Sequence, residues 1–536
     1  MLLNNKRKIL ANSNRKALGI IIALSIGALI IALFLAILNV ANIIPLSAKS
    51  TSPDIIHLVR MSTIQALLST GLSLMVGIML AWALNRLEFF GRKIIIALFA
   101  SAIVTPGIVI ALGLIDVWGR EGIISDFLQI FGIGWDFSIF GLFGILFAHT
   151  ILNGAFAATI LLARLEAIEL QKLKIAQSLA LPPLKRFLLL DLPTIKNTIP
   201  ALGAIIFLLA FTSFPIVLML GGGPSNQTLE VAIYSAVRLS FDLKLAVQLS
   251  LVQLVLCLLI IMPAIIFNQD NIRAGISSNH RWQENGFSKF MQITILIVGI
   301  FAFMLPIISI LLNLFSMEFF ALVLRPSFWR ATITSLTLGA SSAVLTLFIA
   351  IIISQAKIAL HGKISKALIA LPLYVYLIIP ALVLSLGFYI LARQLQISNS
   401  IIAPFVLILG NTLLALPFAV AILAPSLEAI NKRYNKLLGS LNLSSLSRWR
   451  FVEWPLLGHE IGIVLALAFS FSLGDLGIIS LFGTNEFTTL PWAMFQASGA
   501  YRNNDAGIIG AILLLIIFTV FLVLPVIFRK FSNVRS

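Results

Sequence analysis

The residues of this chain that could do covalent chemistry do not assemble into a reaction centre. His459-Glu460 begins as a zinc-binding H-E-x-x-H would, but the second histidine is missing, and His57, His149, His280 and His361 are scattered. Neither G-x4-G-K-[ST] nor a Rossmann glycine pattern occurs, so no cradle for a nucleotide phosphate is expected, and Gly221-Gly222-Gly223-Pro224 reads as a turn. The single cysteine, Cys257, lies within an apolar run. That excludes an intramolecular disulfide and a cysteine-based metal site, and the thiol reads as a small core hydrophobe.

A second group of candidates is polar and sits inside long apolar runs. Asp475 holds the repeat position of Ser213; His149 and Asn153 share one run, and Asn411 is the repeat counterpart of His149. A carboxylate in hydrocarbon costs roughly 2.5–3.5 kcal/mol on insertion scales, so Asp475 is expected to face the protein interior or a water-filled path. Two readings stay open for these five residues: they line a translocation path, or they hold helices together by hydrogen bonds.

The elements that must position them are membrane helices. The 536 residues are 60% apolar and 11% charged, with a mean hydropathy of +1.07, which defines an all-α integral membrane protein. Apolar runs able to cross about 30 Å of hydrocarbon predict about twelve transmembrane helices. They start near residues 17, 63, 94, 138, 198, 245, 290, 331, 366, 400, 460 and 507. The first apolar run, Ala17 to Val40, exceeds the roughly 7–15 residues of a signal-peptide core and reads as a retained span. With the N-terminus placed in the cytoplasm, nine of the 37 Lys and Arg fall outside: Lys49, Arg60, Arg120, Arg238, Lys244, Arg325, Arg330, Arg393 and Arg502. The rest lie inside, which accounts for the net charge of +17 by the positive-inside rule, without nucleic acid, and puts both termini in the cytoplasm.

An internal duplication organises the chain. Leu165-Glu166-Ala167-Ile168 returns 262 residues later as Leu427-Glu428-Ala429-Ile430. Pro106 to Gly113 resembles Pro380 to Gly387 at an offset of 274. The expected domains are a first six-helix repeat, 1–268, a polar cytoplasmic linker, 269–289, and a second six-helix repeat, 290–536. An even number of spans gives both repeats the same orientation, related by an axis along the membrane normal.

Between the fourth and fifth spans of each repeat a long segment, about 164–198 and about 425–459, keeps one spacing twice. The first reads Lys174-Ile175-Ala176, three residues, Ala180, nine residues, Leu190-Asp191-Leu192-Pro193. The second reads Lys436-Leu437-Leu438, three residues, Asn442, nine residues, Val452-Glu453-Trp454-Pro455. After Ala180 and Asn442, Pro182-Pro183 and Ser444-Ser445 suit the start of a short helix. That helix is expected to present Leu184, Arg186 and Phe187 in one repeat, and Leu446, Arg448 and Trp449 in the other, as an exposed aromatic-and-basic knob.

This spacing resembles the E-A-A-x3-G-x9-I-x-L-P loop of permease subunits in bacterial binding-protein-dependent ABC importers, here with two permease halves fused. Lys174 and Lys436 depart from the family glutamate, and Ala180 and Asn442 from its glycine; either the backbone freedom of glycine is not needed here, or the turn tolerates Asn in the left-handed region and Ala with helical geometry. Within the fused permeases the chain resembles the thiamine importer permeases through Leu220 to Pro224, Thr228 to Tyr234, Leu473 to Gly477, Leu481-Phe482-Gly483, Thr489-Leu490-Pro491 and Tyr501-Arg502. The fused ferric-iron permeases are the alternative, and a motor-independent channel or secondary transporter is the alternative of a different class.

The resemblance implies a type I importer permease in the bacterial inner membrane with no cofactor and no ATPase site of its own. ATP and Mg would be bound by two copies of an ABC ATPase subunit, one docked on each loop. A periplasmic binding protein would deliver thiamine, its monophosphate or its diphosphate. Charge complementarity marks Arg120, Glu230, Arg238 and Arg502 as the expected docking surface for that protein.

Overall fold

A computed structural model describes residues 2–43, 54–267, 286–360, 362–440 and 445–532. Asn442, His280, His361 and linker residues 269–285 lie outside the described residues, as do the side chains of Lys436 and Leu446. Among the described residues every regular element is a helix.

The first repeat supplies α1 (Leu2–Ile43), α2 (Ile55–Arg86), α3 (Arg92–Ala100), α4 (Gly107–Trp118), α5 (Leu142–Glu166), α6 (Leu170–Ser178) and α7 (Pro183–Arg186). It continues through α8 (Leu192–Phe211), α9 (Phe214–Leu220), α10 (Leu229–Arg238) and α11 (Leu243–Phe267). The second repeat supplies α12 (Phe287–Leu312), α13 (Pro326–Ala359), α14 (Lys363–Ile378), α15 (Ala381–Gln394), α16 (Asn399–Ser440) and α17 (Ser445–Arg448). It ends with α18 (Trp454–Leu473), α19 (Gly477–Phe482), α20 (Leu490–Gly499) and α21 (Asn503–Phe531).

Ten helical segments among the described residues are long and apolar enough to cross a bilayer, and one bent pair makes an eleventh. The chain is a multi-pass membrane protein. The span expected near residue 94 is not straight: it turns by 111° between residues 103 and 107. The span expected near 366 divides the same way, into α14 and α15. Both breaks fall at the prolines that open the repeated Pro106 and Pro380 motif; Pro106 and Pro380 are extended and precede the first residue of α4 and of α15. The residue before a proline is pushed out of the helical region, so an apolar run that is continuous in sequence becomes two rods.

The helices gather into two compact units that cut across chain order. One unit contains residues 49–233 and 251–315, and there α2 packs against α5 and α8 while α12 lies along α2 and α4. The other contains residues 1–48, 234–250 and 316–536, and there α13 packs against α16, α18 and α1, and α18 against α16 and α21. Each unit thus takes the first helix of one repeat and most of the other. Glycine at the end of the repeated motif permits the contact. A Cβ on Gly113 of α4 would stand 2.4 Å from the Pro306 carbonyl oxygen of α12, and one on Gly387 of α15 would stand 3.3 Å from Leu33 Cβ of α1.

The same capping device occurs in each unit. The Leu229 N–H at the start of α10 donates to Ser62 Oγ of α2 at 2.9 Å, and the Leu490 N–H at the start of α20 donates to Ser335 Oγ of α13 at 2.8 Å. A helix start that buries its free N–H groups needs such an acceptor.

Candidate functional site: the two docking loops

The first loop is built from α6, a reversal at Ala180, and the short α7. Lys174 is exposed on α6, and Ala176 is buried one turn from the buried Leu173. Ala180 has φ +46°, in the left-handed region. The expectation that alanine there keeps right-handed helical geometry is corrected: the reversal demands the conformation for which glycine is the usual residue, and alanine accepts the strain. The Ala180 N–H donates to the Gln177 carbonyl at 2.9 Å and closes the turn. In the second repeat the loop starts differently, since α16 runs unbroken to Ser440 and carries Lys436 in its tail.

After the reversal Pro183 occupies the first position of α7, as its fixed φ favours. Both short helices then widen into a five-residue π turn, Phe187–Asp191 and Trp449–Glu453, before α8 and α18 begin. The Leu192 N–H reaches back to the Phe187 carbonyl, and the Trp454 N–H to that of Trp449. Pro193 and Pro455 follow at once. A proline ring crowds the carbonyl four residues earlier, here Leu189 and Phe451, and a widened turn relieves that crowding.

The expected knob is only partly exposed. Leu184 is 69% exposed, whereas Phe187 is half-buried. Trp449 is half-buried too, edge-to-face with Trp454 at 6.1 Å. Arg186, expected to be the exposed basic residue, is buried; the correction follows from its place within electrostatic reach of Asp191 and Arg86. The exposed groups of this loop include Lys172, Lys174 and Lys185 and the apolar Ile175, Leu179, Leu184, Leu188 and Leu189. Arg448 is half-buried and bonds Glu453 and Asn431.

Sequence reasoning missed the carboxylates at the centre of each loop. Asp191 is buried, and its Oδ2 accepts from Arg86 Nη2, at the end of α2, at 2.5 Å. Glu453 is buried, accepting from Arg15 at 3.1 Å, Arg448 at 2.5 Å and Gln355 at 2.9 Å. The signal was present as R-x4-[DE]-x-P, read once as Arg186 to Pro193 and again as Arg448 to Pro455. A carboxylate kept twice beside an apolar run requires a partner.

The polar residues inside the helices are mostly engaged. His149 Nδ1 meets Ser69 Oγ at 2.9 Å, joining α5 to α2, and Asn411 Nδ2 donates to Ser472 Oγ at 3.0 Å, joining α16 to α18. Asn153 is buried on α5, next to the same seam. Asp475 sits in the break between α18 and α19, where both oxygens accept from the Ile478 N–H at 3.2 Å, so it caps the second piece of a broken helix. Ser213, its counterpart between α8 and α9, makes no side-chain cap bond.

The four charges expected on the opposite surface separate. Arg120 and Arg502 are exposed, and Arg502 pairs with Asp505 at 3.4 Å. Arg238 is tied down, donating to the Gly483 carbonyl at 2.9 Å and lying over the Trp492 ring at 5.5 Å. Glu230 is corrected outright: it is buried, and Oε1 accepts from Gln253 Nε2 at 2.8 Å. Loss of water pushes its carboxyl up to about 8. A charged residue in a polar stretch reads as surface, yet here it is the acid of a buried acid–amide pair.

Membrane helices with long loops at repeat-related positions, the first of which exposes a group of apolar residues, fit a fused permease of the ABC-importer type. No family model matches the chain. The chain is 36% identical over 467 residues to the thiamine transport system permease protein ThiP of Haemophilus influenzae, covering 86% of each protein. It is 31% identical over 475 residues to that of Salmonella typhimurium, covering 87% of this chain and 88% of that one. The chain belongs to the family of thiamine transport system permease proteins. A putative 2-aminoethylphosphonate transport system permease protein of Salmonella typhimurium is 27% identical over 214 residues, matching 39% of this chain and 77% of its own length. A single shorter permease thus aligns with less than half of the chain.

Proposed function

We propose that this chain is the transmembrane subunit of an ATP-driven importer that carries thiamine, and thiamine phosphates, into the cytoplasm. It has no ATP site of its own; two copies of an ABC ATPase subunit hold ATP and Mg and dock on loops 164–198 and 425–459. A periplasmic binding protein hands over the cargo on the opposite face, where Arg120 and Arg502 are exposed. The protein lies in the bacterial inner membrane with both termini cytoplasmic, and its two sequence repeats, 1–268 and 290–536, face the same way.

The observation that carries this reading is the likeness to thiamine permeases over 86% of the chain, including both docking loops. The exposed Ile175, Leu179 and Leu184 support it, since apolar groups gathered on a loop are what a protein partner covers. The same relatives do not favour the ferric-iron alternative. Its test is reconstitution of the chain with its native ATPase and binding protein in vesicles, followed by labelled thiamine. ATP-dependent accumulation of thiamine is expected. Accumulation of iron instead, or solute movement by the chain alone without ATP, would overturn it.

A further inference from the structure

We propose that Asp191 and Glu453 are transmission latches: buried carboxylates that clamp each docking loop to the membrane end of neighbouring helices, so that a push on the loop moves those helices as one body. This rests on the docking reading above and names the residues through which it acts.

Three observations converge. First, the two carboxylates are repeat equivalents, and each is buried at the last position of a π turn. Second, each has an arginine five residues earlier, Arg186 or Arg448, and the π turn explains that spacing. Side chains five apart on an α-helix point about 140° away from each other, at about 100° per residue. A turn closed by i to i+5 bonds brings them towards one face, where Arg448 Nε donates to Glu453 at 2.5 Å. Third, each carboxylate is bound across to the end of the second helix of its repeat. Arg86 is the last residue of α2, and Gln355 is in the last turns of α13.

The second latch has one more strand. Arg15 of α1 also donates to Glu453. The loop formed by α17 is therefore tied to two helices, α1 and α13, and the loop formed by α7 to α2. A surface salt bridge would yield under load, because it gains little and is screened. A buried one resists, because pulling it apart strands an uncompensated charge.

The assay is the ratio of thiamine taken up to ATP hydrolysed in vesicles holding the complete complex, with ATPase attachment measured by co-purification. Asp191→Asn and Glu453→Gln keep the side-chain shape and remove the charge. The expected result is that the ATPase stays attached, hydrolysis persists, and uptake per ATP falls roughly 5- to 150-fold, the range that coupling free energies span. Since Arg86 and Arg186 left without a carboxylate oppose folding, the triple replacement Arg86→Met, Arg186→Met and Asp191→Leu removes all three buried charges together, an exchange buried ion pairs and triads often tolerate. It is expected to accumulate in the membrane and show the same fall. An unchanged ratio in either variant overturns the proposal, and so does loss of the ATPase, which would make these groups part of the docking face. Failure of the docking reading looks different: the unsubstituted chain would purify without any ATPase.

Discussion

Ala180 carries a backbone φ of +46° without being glycine, and the cost of that is measurable. A left-handed residue with a Cβ costs roughly 1–2 kcal/mol, against roughly 0.5–1 kcal/mol of extra chain entropy lost by glycine. Ala180→Gly is therefore expected to stabilise the loop by up to about 1 kcal/mol, read as slower amide exchange across residues 177–183; faster exchange would show that the strain is illusory. Glu230 gives a second test. Its folded-state value is about 8 and its ordinary value 4.5, so between the two the folded chain holds a proton that the unfolded chain has released. Stability is then complete below the lower value and declines as pH rises through the upper one. Glu230→Gln, which cannot ionise, should flatten that decline in thermal unfolding scans, and an unaltered slope would mean that Glu230 is ionised when folded. Neither residue was legible as it stands. The sequence shows that a glycine position holds alanine but not which dihedral it takes, and a glutamate just after the polar run Ser225 to Thr228 carries no sign that Gln253 covers it.

The two proline-broken helices show how much of an element its own residues specify. The motif from Pro106 to Gly113 and its return from Pro380 to Gly387 were visible as a repeat, and so were both docking loops, because spacing survives translation along a chain. The 111° turn was not, since hydropathy sums over a run without registering where a proline divides it. The latches were legible only as the R-x4-[DE]-x-P spacing and not by their distant partners: Asp191 finds Arg86 105 residues away, and Glu453 finds Arg15 438 residues away, distances no local pattern spans. The motif glycines now separate by magnitude. At Gly113 a new Cβ would press on a backbone oxygen at 2.4 Å, so α4 or α12 must shift as a rod. At Gly387 it would meet Leu33 Cβ at 3.3 Å, an overlap that a shift of a few tenths of an ångström relieves. Gly113→Ala is expected to cost about 1–3 kcal/mol of stability and Gly387→Ala less than about 1 kcal/mol, by analogy with overpacked cores. Equal losses in detergent unfolding would show that both contacts yield alike.

At the scale of the whole molecule the chain has to convert work done at its loops into movement of helices, and the exposed residues say where that work arrives. Ile175, Leu179 and Leu184 protrude from the first loop, whereas Phe187 and Trp449 are half-buried where the loops join α8 and α18. Under the proposed function the first set is what touches the motor and the second what stiffens the joint. Burying a large aliphatic side chain is worth roughly 1.5–3 kcal/mol, and about 1.4 kcal/mol is a factor of ten in affinity. Ile175→Glu combined with Leu184→Glu should then weaken ATPase attachment by at least about a hundredfold, while the chain reaches the membrane in normal amount. Because the second loop is untouched, one ATPase copy should remain bound, and the purified complex should contain half the usual ATPase per permease. If the ATPase acts as the pair proposed above, uptake should fall further than attachment does, since a single remaining copy has no partner to close on. A complex that keeps its full complement of ATPase after both substitutions would place the docking face elsewhere on the loop and leave those leucine and isoleucine side chains without a role.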